Sequence, residues 1–298
     1  MEVLRRIDEV RQLRDEWRHG RQRVGVVLTM GALHNGHLAL VDRARSQTDK
    51  VLATVFVNPI QFTHGEDFST YPRQEEQDLC LLEERGCDAV FAPDVDEIFP
   101  GGRSELASFP THVRVTGLTE RLCGLVRPSH FEGVTTEVTK HFMITEPDVT
   151  YFGEKDYQQL QVIRRMVADL NMRIVVEGVP TVREDDGLAL SSRNAYLSEA
   201  QRATAPALYR ILCASADAIV GSPATLASSL ETGRRLVADA GFAPVDYLEL
   251  IDASTLEPLL VLDRPARLVG SGWLGATRLT DNVPVEPPSA ELAADRHC

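Results

Sequence analysis

Val24-Gly25-Val26-Val27-Leu28-Thr29-Met30-Gly31-Ala32-Leu33-His34-Asn35-Gly36-His37 is the stretch that decides the fold. Val24 to Leu28 is a short apolar run, the pattern of a strand buried on both faces in a parallel sheet. A glycine-containing turn follows. A helical pattern then runs from His37 to about Thr48, and Val51 to Val57 reads as the next strand. Strand, turn, helix and strand in that order open a doubly wound sheet.

The alternation extends in both directions. Residues 3–20 carry Leu, Arg, Asp and Glu at helical spacing and stop at Gly20. Downstream, helices are expected at 74–86, 134–145 and 156–170, and strands at 88–92, 149–152 and 173–179. The fold expected is α/β: a Rossmann-like, doubly wound parallel sheet over residues 1–181. After about residue 181 the composition shifts to Ala- and Leu-rich helices at 199–220 and 224–240. Short strands are expected at 245–251, 259–262 and 267–270, so residues 182–298 read as a smaller α+β domain. The end of the chain, from Pro284 or about residue 285, carries Pro287-Pro288 and is expected to be disordered.

Composition excludes several function classes. The formal net charge is −13, which repels phosphate backbones and argues against nucleic-acid binding. No stretch reads as some 18 consecutive apolar residues, and the start has no apolar run of signal-peptide length. A cytoplasmic location without membrane attachment is therefore expected. The five cysteines show neither C-x-x-C nor zinc-site spacing and read as reduced thiols.

Four segments carry chemistry. The first is Met30 to His37, at the turn where a strand ends and a helix begins. Ligands of open α/β sheets bind at the carboxyl ends of strands, and a helix N-terminus offers backbone N–H groups to an anion. Gly31 and Gly36 permit close approach of backbone to phosphate. His34 and His37 can donate to phosphate oxygens and, as imidazolium, offset charge in phosphoryl transfer. Neither a P-loop nor G-x-G-x-x-G occurs. The second segment is Leu190-Ser191-Ser192-Arg193-Asn194, whose hydroxyls and guanidinium suit a triphosphate, or which is simply a loop. The third is Gly153-Glu154-Lys155-Asp156, at another strand end. Lys155 can hold phosphate and Asp156 can accept from ribose hydroxyls; the alternative is a helix N-terminus with solvated charges. In the fourth, Asn58-Pro59-Ile60-Gln61-Phe62, a turn is expected either way, and Gln61 suits a small polar acid walled by apolar neighbours.

Together these segments resemble the pantoate–β-alanine ligases, also called pantothenate synthetases. The resemblance runs through 29–37, 56–62, 71–73, 127–134, 152–159, 186–194 and 277–282. It implies a Rossmann-like domain of the His-x-Gly-His nucleotidyltransferase type, a C-terminal domain covering the site, and a homodimer. It implies that ATP, (R)-pantoate and β-alanine give AMP, diphosphate and (R)-pantothenate through a pantoyl-adenylate, with Mg²⁺. Carried over by position, Met30, Gly31, Ala32, Leu33, His34, Asn35, Gly36 and His37 form the ATP-binding turn, with His37 the proton donor. Gly153 to Asp156 contact nucleotide, Val182 contacts adenine, and Leu190, Ser191, Ser192 and Arg193 form the phosphate loop. Gln61 contacts pantoate and β-alanine, Gln159 contacts pantoate, and Asn58 is a further substrate-binding position. His34, His37, Lys155 and Arg193 would share the phosphate charge. No residue spacing demands a protein metal ligand, although Asp78 can assist the ion. Leu28, Cys123 and Ser129 depart from the family's usual proline, acidic residue and glycine. Two other readings use the same turn: a nucleotidyltransferase, and a nucleotide-binding regulatory module.

Overall fold

The computed structural model describes residues 1–62, 68–101 and 109–288. The chain divides into two units, Met1–Val182 and Arg183 onward.

The first unit is built on a six-stranded sheet in which every neighbouring pair is parallel. Its strands are β1 (Glu2–Leu4), β2 (Val24–Thr29), β3 (Lys50–Val55), β4 (Ala89–Phe91), β5 (Val149–Gly153) and β6 (Val175–Val179). The spatial order is β1-β4-β3-β2-β5-β6. The chain leaves β2 toward β3 and β4, then returns to place β5 and β6 on the other side. The carboxyl ends of β2 and β5 therefore flank a topological switch point, where open α/β sheets bind ligands.

Alternation along β2 separates two cores. Val24 and Val26 pack with Val10, Leu13 and Trp17 of α1 (Ile7–His19). Val27 faces the opposite layer with Leu40, Val41 and Ala44 of α2 (Asn35–Gln47) and Leu82 of α3 (Glu75–Glu84). Two short helices, α4 (Val95–Ile98) and α5 (Cys123–Val126), precede α6 (His130–Thr145). The last helix of the unit is α7 (Tyr157–Asp169). Two details differ from expectation: residues 2–4 form an edge strand on β4 rather than the start of a helix, and α6 begins at His130 rather than at 134.

The second unit holds a three-stranded antiparallel sheet, β7 (Val245–Asp252), β8 (Ala266–Leu274) and β9 (Thr277–Val285), in that order. After the short α8 (Glu199–Thr204), the helices α9 (Ala207–Gly221) and α10 (Leu226–Asp239) share a core with the sheet. Leu208, Leu212, Ile219 and Val237 meet Leu248, Leu268, Leu279 and Val283 there. Truncating a fully buried residue such as Leu212 to Ala would cost about 2–5 kcal/mol. Glu199–Gly221 is long and apolar enough in composition to cross a membrane, but Leu208, Leu212 and Ile219 within it are buried in this core.

The expected strand at 259–262 is absent; Pro258 forms an isolated bridge with Ile251, and Leu259 N–H donates to the Leu250 carbonyl at 2.9 Å. The expected disorder from Pro284 or about 285 is also corrected. Pro284 pairs with Arg267, and Val285 ends β9 almost fully buried. Proline is tolerated because β9 is an edge strand, where one row of N–H groups needs no partner. Residues 289–298 lie outside the described residues.

Candidate active site

The turn after β2 is tied down from below. Thr29 Oγ1 donates to the Thr54 carbonyl of β3 at 2.7 Å and accepts from the Gly31 N–H at 3.2 Å. Gly31 and Ala32 are both left-handed, with φ of +76° and +52°. Glycine suits the first position, because a Cβ there would lie 2.9 Å from Asp78 Oδ2. Ala32 is held in its unfavourable conformation by Asp78, a residue of α3 that is 1% exposed. One carboxylate oxygen accepts from Ala32 N–H at 2.9 Å and the other from Leu33 N–H at 2.8 Å.

The start of α2 is satisfied in the same way. His34 Nδ1 accepts from Gly36 N–H at 3.1 Å, and His37 Nδ1 accepts from His34 N–H at 3.4 Å. The backbone N–H of His37 donates to the His34 carbonyl at 2.8 Å. The amides of Ala32, Leu33, His34, Gly36 and His37 thus all have acceptors within the protein. The backbone anion cradle expected for this turn is instead used to build the turn.

The same bonds define the imidazoles. Each Nδ1 accepts from a backbone N–H, so each ring proton sits on Nε2. The ring centroids are 4.1 Å apart. Burial and the Lys155 ammonium push His34 down to about 4, against the pull of Asp156. Burial and the neighbouring His34 ring take His37 down to about 3. Both histidines are therefore neutral Nε2–H donors near neutral pH, not the imidazolium ions that sequence alone allows.

The ends of β5 and β3, the two neighbours of β2, carry further candidate residues beside this turn. β5 pairs with β2 and ends at Gly153, which a short 3-10 turn (Glu154–Asp156) follows. Lys155 is mostly buried and lies 3.5 Å from Asp156. β3 leads to Asn58, which is fully buried, and to Gln61, which is 9% exposed. Gln61 Nε2 donates to Met30 Sδ at 2.8 Å, linking that turn directly to the His-x-Gly-His segment. Gln159 is half-buried in the first turn of α7. Val182 is the last residue of the first unit.

Leu190, Ser191, Ser192 and Arg193 belong to the second unit, all half-buried. Ser191 caps a 3-10 turn (Ser192–Tyr196) by accepting from Arg193 N–H at 3.3 Å. The base of this loop is pinned by Arg183. Its guanidinium forks onto Asp281 at 2.6 and 2.8 Å, donates to the Gly187 carbonyl at 3.0 Å, and stacks 3.6 Å over the Tyr209 ring.

Asp78, His130, Gln158 and Arg183 were not singled out by sequence for these positions. Gln158, buried in α7, donates to the carbonyls of Leu118 and Arg121 and accepts from Cys123 N–H. The neighbouring Gln159 drew attention only through the resemblance. No spacing pattern marks Asp78, because its partners are 45 and 46 residues away.

With this geometry in view, the comparisons are decisive. The sequence profile of the pantoate-beta-alanine ligases matches residues 2–284. The chain belongs to the pantoate–β-alanine ligase family. It is 50% identical over 287 residues to a pantothenate synthetase of Rhizorhabdus wittichii, covering 96% of this chain and 99% of that one. The crystal structure of pantothenate synthetase from Thermus thermophilus superposes with a TM-score of 0.88 at 46% identity, covering 96% of this chain and all of that one. The pantoate-beta-alanine ligase of Francisella tularensis, solved in complex with beta-gamma ATP and beta-alanine, gives a TM-score of 0.79 at 32% identity. It covers 95% of this chain and 97% of that one. The parallel sheet of this pantoate–β-alanine ligase carries the His-x-Gly-His turn at its switch point.

No group of three or more His, Cys, Asp or Glu fit to hold a metal ion occurs among the described residues. Both oxygens of Asp78 accept from backbone amides, so the carboxylate that sequence offered to Mg²⁺ is committed to the turn.

Proposed function

We propose that this ligase activates (R)-pantoate with ATP and passes the acyl group to β-alanine. Attack of the pantoate carboxylate on the α-phosphate forms pantoyl-adenylate and diphosphate. The β-alanine amine then attacks the acyl carbon, giving (R)-pantothenate and AMP. The carrying observation is the pair of neutral Nε2–H imidazoles at the switch point, with Lys155 close enough to depress His34 and Gln61 bonded to Met30.

Such a set works by placement and charge stabilisation, without a covalent intermediate on the protein. His34 and His37 donate from Nε2 to phosphate oxygens, and Lys155 adds a positive charge. Gly153 to Asp156 take the nucleoside side, with Asp156 accepting from ribose. Val182 contacts adenine through its backbone. Leu190 to Arg193 supply further phosphate donors; their support is local, a capped turn carrying hydroxyls and a guanidinium on a pinned base. Gln61 and Gln159 face the acid; Asn58, expected beside them as a contact, is fully buried and instead holds Gln61 from behind. Magnesium enters as part of the nucleotide substrate, largely hydrated, as this ion commonly is on phosphates. The family resemblance also supports a cytoplasmic homodimer.

AMP release tests the reading. AMP should form from ATP and Mg²⁺ only when pantoate and β-alanine are both present. Nucleotide incorporated into an acceptor without AMP would instead identify a nucleotidyltransferase.

A further inference from the structure

The segment Arg127-Pro128-Ser129-His130 has no role in the scheme above, yet His130 is buried directly against the Asn58–Gln61 turn. His130 Nδ1 lies 2.8 Å from the Gln61 carbonyl oxygen. His130 Nε2 lies 2.9 Å from Arg127 Nη1. A guanidinium has donors and no acceptor, so Nε2 must accept. The single ring proton of the neutral imidazole is then on Nδ1, which donates to the Gln61 carbonyl. Arg127 thus selects the tautomer that His130 needs to hold Gln61.

The turn is held from a second side. Asn58 Oδ1 accepts from Ile60 N–H at 3.2 Å, which directs the Asn58 NH₂ to the Gly133 carbonyl at 3.1 Å and to Gln61 Oε1 at 3.0 Å. The Gln61 side chain is thereby oriented, with Oε1 toward Asn58 and its NH₂ toward Met30, while its backbone carbonyl faces His130. Helix α6 lies flush against this turn: a Cβ on Gly133 would stand 2.2 Å from the Ile60 carbonyl oxygen.

We infer that His130 is a positioning residue: its Nδ1–H bond to the Gln61 carbonyl, locked by Arg127, sets where the Gln61 amide meets the acid substrate. This rests on Gln61 contacting pantoate. Without the bond, the three-residue turn Pro59–Gln61 keeps Asn58 but loses its lower support, and its buried carbonyl loses a donor.

The test is steady-state kinetics with pantoate varied, on His130→Phe, His130→Asn, Gln61→Ala and the His130→Phe/Gln61→Ala double variant. His130→Phe should lower kcat/KM for pantoate roughly 10- to 100-fold, the scale of a small misplacement, and leave KM for ATP unchanged. His130→Asn can direct an amide N–H at the same carbonyl and should recover most of the loss. The double variant should be no worse than Gln61→Ala, because one residue acts through the other. Losses that add in full, or that fall equally on ATP and pantoate without recovery in His130→Asn, overturn the inference. If His130→Phe fails to fold, Arg127→Leu serves: a raised pantoate KM supports the lock and a wild-type KM overturns it. A damaging Gln61→Ala beside a harmless His130→Phe sinks this inference alone, whereas a harmless Gln61→Ala removes the role of Gln61 and the inference with it.

Discussion

His34 and His37 are joined tip to base: the backbone N–H of His34 donates to Nδ1 of His37 across 3.4 Å, one turn away, with the two rings 4.1 Å apart. Each imidazole therefore commits Nδ1 to the fold and keeps its proton on Nε2. His37→Ala removes both, so adenylate formation should fall about 100-fold or more while ATP affinity changes much less. His37→Gln, which can return an N–H near Nε2, should recover part of the rate. Single-turnover formation of adenylate, set beside ATP affinity by calorimetry, checks this; equal losses in both would leave His37 a binding role only.

The depressed imidazoles predict a pH dependence of stability. In the unfolded chain each takes up its proton near 6.5, but in the fold only near 4 for His34 and 3 for His37. Between those values the unfolded state binds more protons, so stability rises with pH and is lost as pH falls from 6.5 toward 3. Each histidine contributes a slope of up to about 1.4 kcal/mol per pH unit inside its window and nothing above pH 6.5. A His34→Gln/His37→Gln variant should show a flatter dependence of unfolding free energy between pH 6.5 and 4.5. Parallel curves for variant and parent would contradict the depressed, neutral pair.

Asp78 supports the turn with both oxygens, so Asp78→Asn should be far from silent. An amide has one acceptor and presents an NH₂ group to one of the two backbone N–H groups. A cost of about 1–3 kcal/mol follows for the amide left without an acceptor, with kcat/KM for ATP reduced. Thermal unfolding and ATP kinetics on the same preparation measure both effects.

In the second unit, Arg183 and Asp281 are a largely buried pair, with side chains 16% and 5% exposed. Asp281→Ala leaves the guanidinium buried without its counter-charge and should destabilise by about 3–5 kcal/mol. Arg183→Lys keeps the charge but loses the fork and the stacking on Tyr209, and should still weaken the fold. Denaturant unfolding of each variant tests the pair; wild-type midpoints would deny it a structural role.

Ser129 occupies a left-handed position, φ +70°, immediately before α6 and exposed to solvent. A non-glycine residue pays about 1–2 kcal/mol there, partly offset by the greater chain entropy of glycine when unfolded. Ser129→Gly should therefore stabilise by about 0.5–1 kcal/mol. A melting temperature at or below that of the parent would contradict this.

What sequence made legible was local. The run Val24 to Leu28, its glycine turn and the following helix announce β2, the turn and α2 because residues close in the chain form them. Leu28 continues β2 opposite Thr54 and packs on the core. What stayed hidden depends on packing across long separations. Asp78 reaches Ala32 only because α3 lies against α2. His130 reaches Gln61 across 69 residues. The charge state of the histidines is set by burial, which no motif displays. Strand β9 was missed because Pro284 suggests a chain end unless its edge location is known.

The turn at residues 30–37 is finished before any nucleotide arrives. Asp78, a built-in anion, occupies amides that a phosphate would otherwise organise, so the shape of the turn does not depend on its cargo. The two imidazoles keep their Nε2–H groups outside this bonding, resting on a frame that the protein's own groups complete. Such a frame gives up some grip on phosphate. In return, diphosphate and then AMP can leave without collapsing the site that the next ATP must enter.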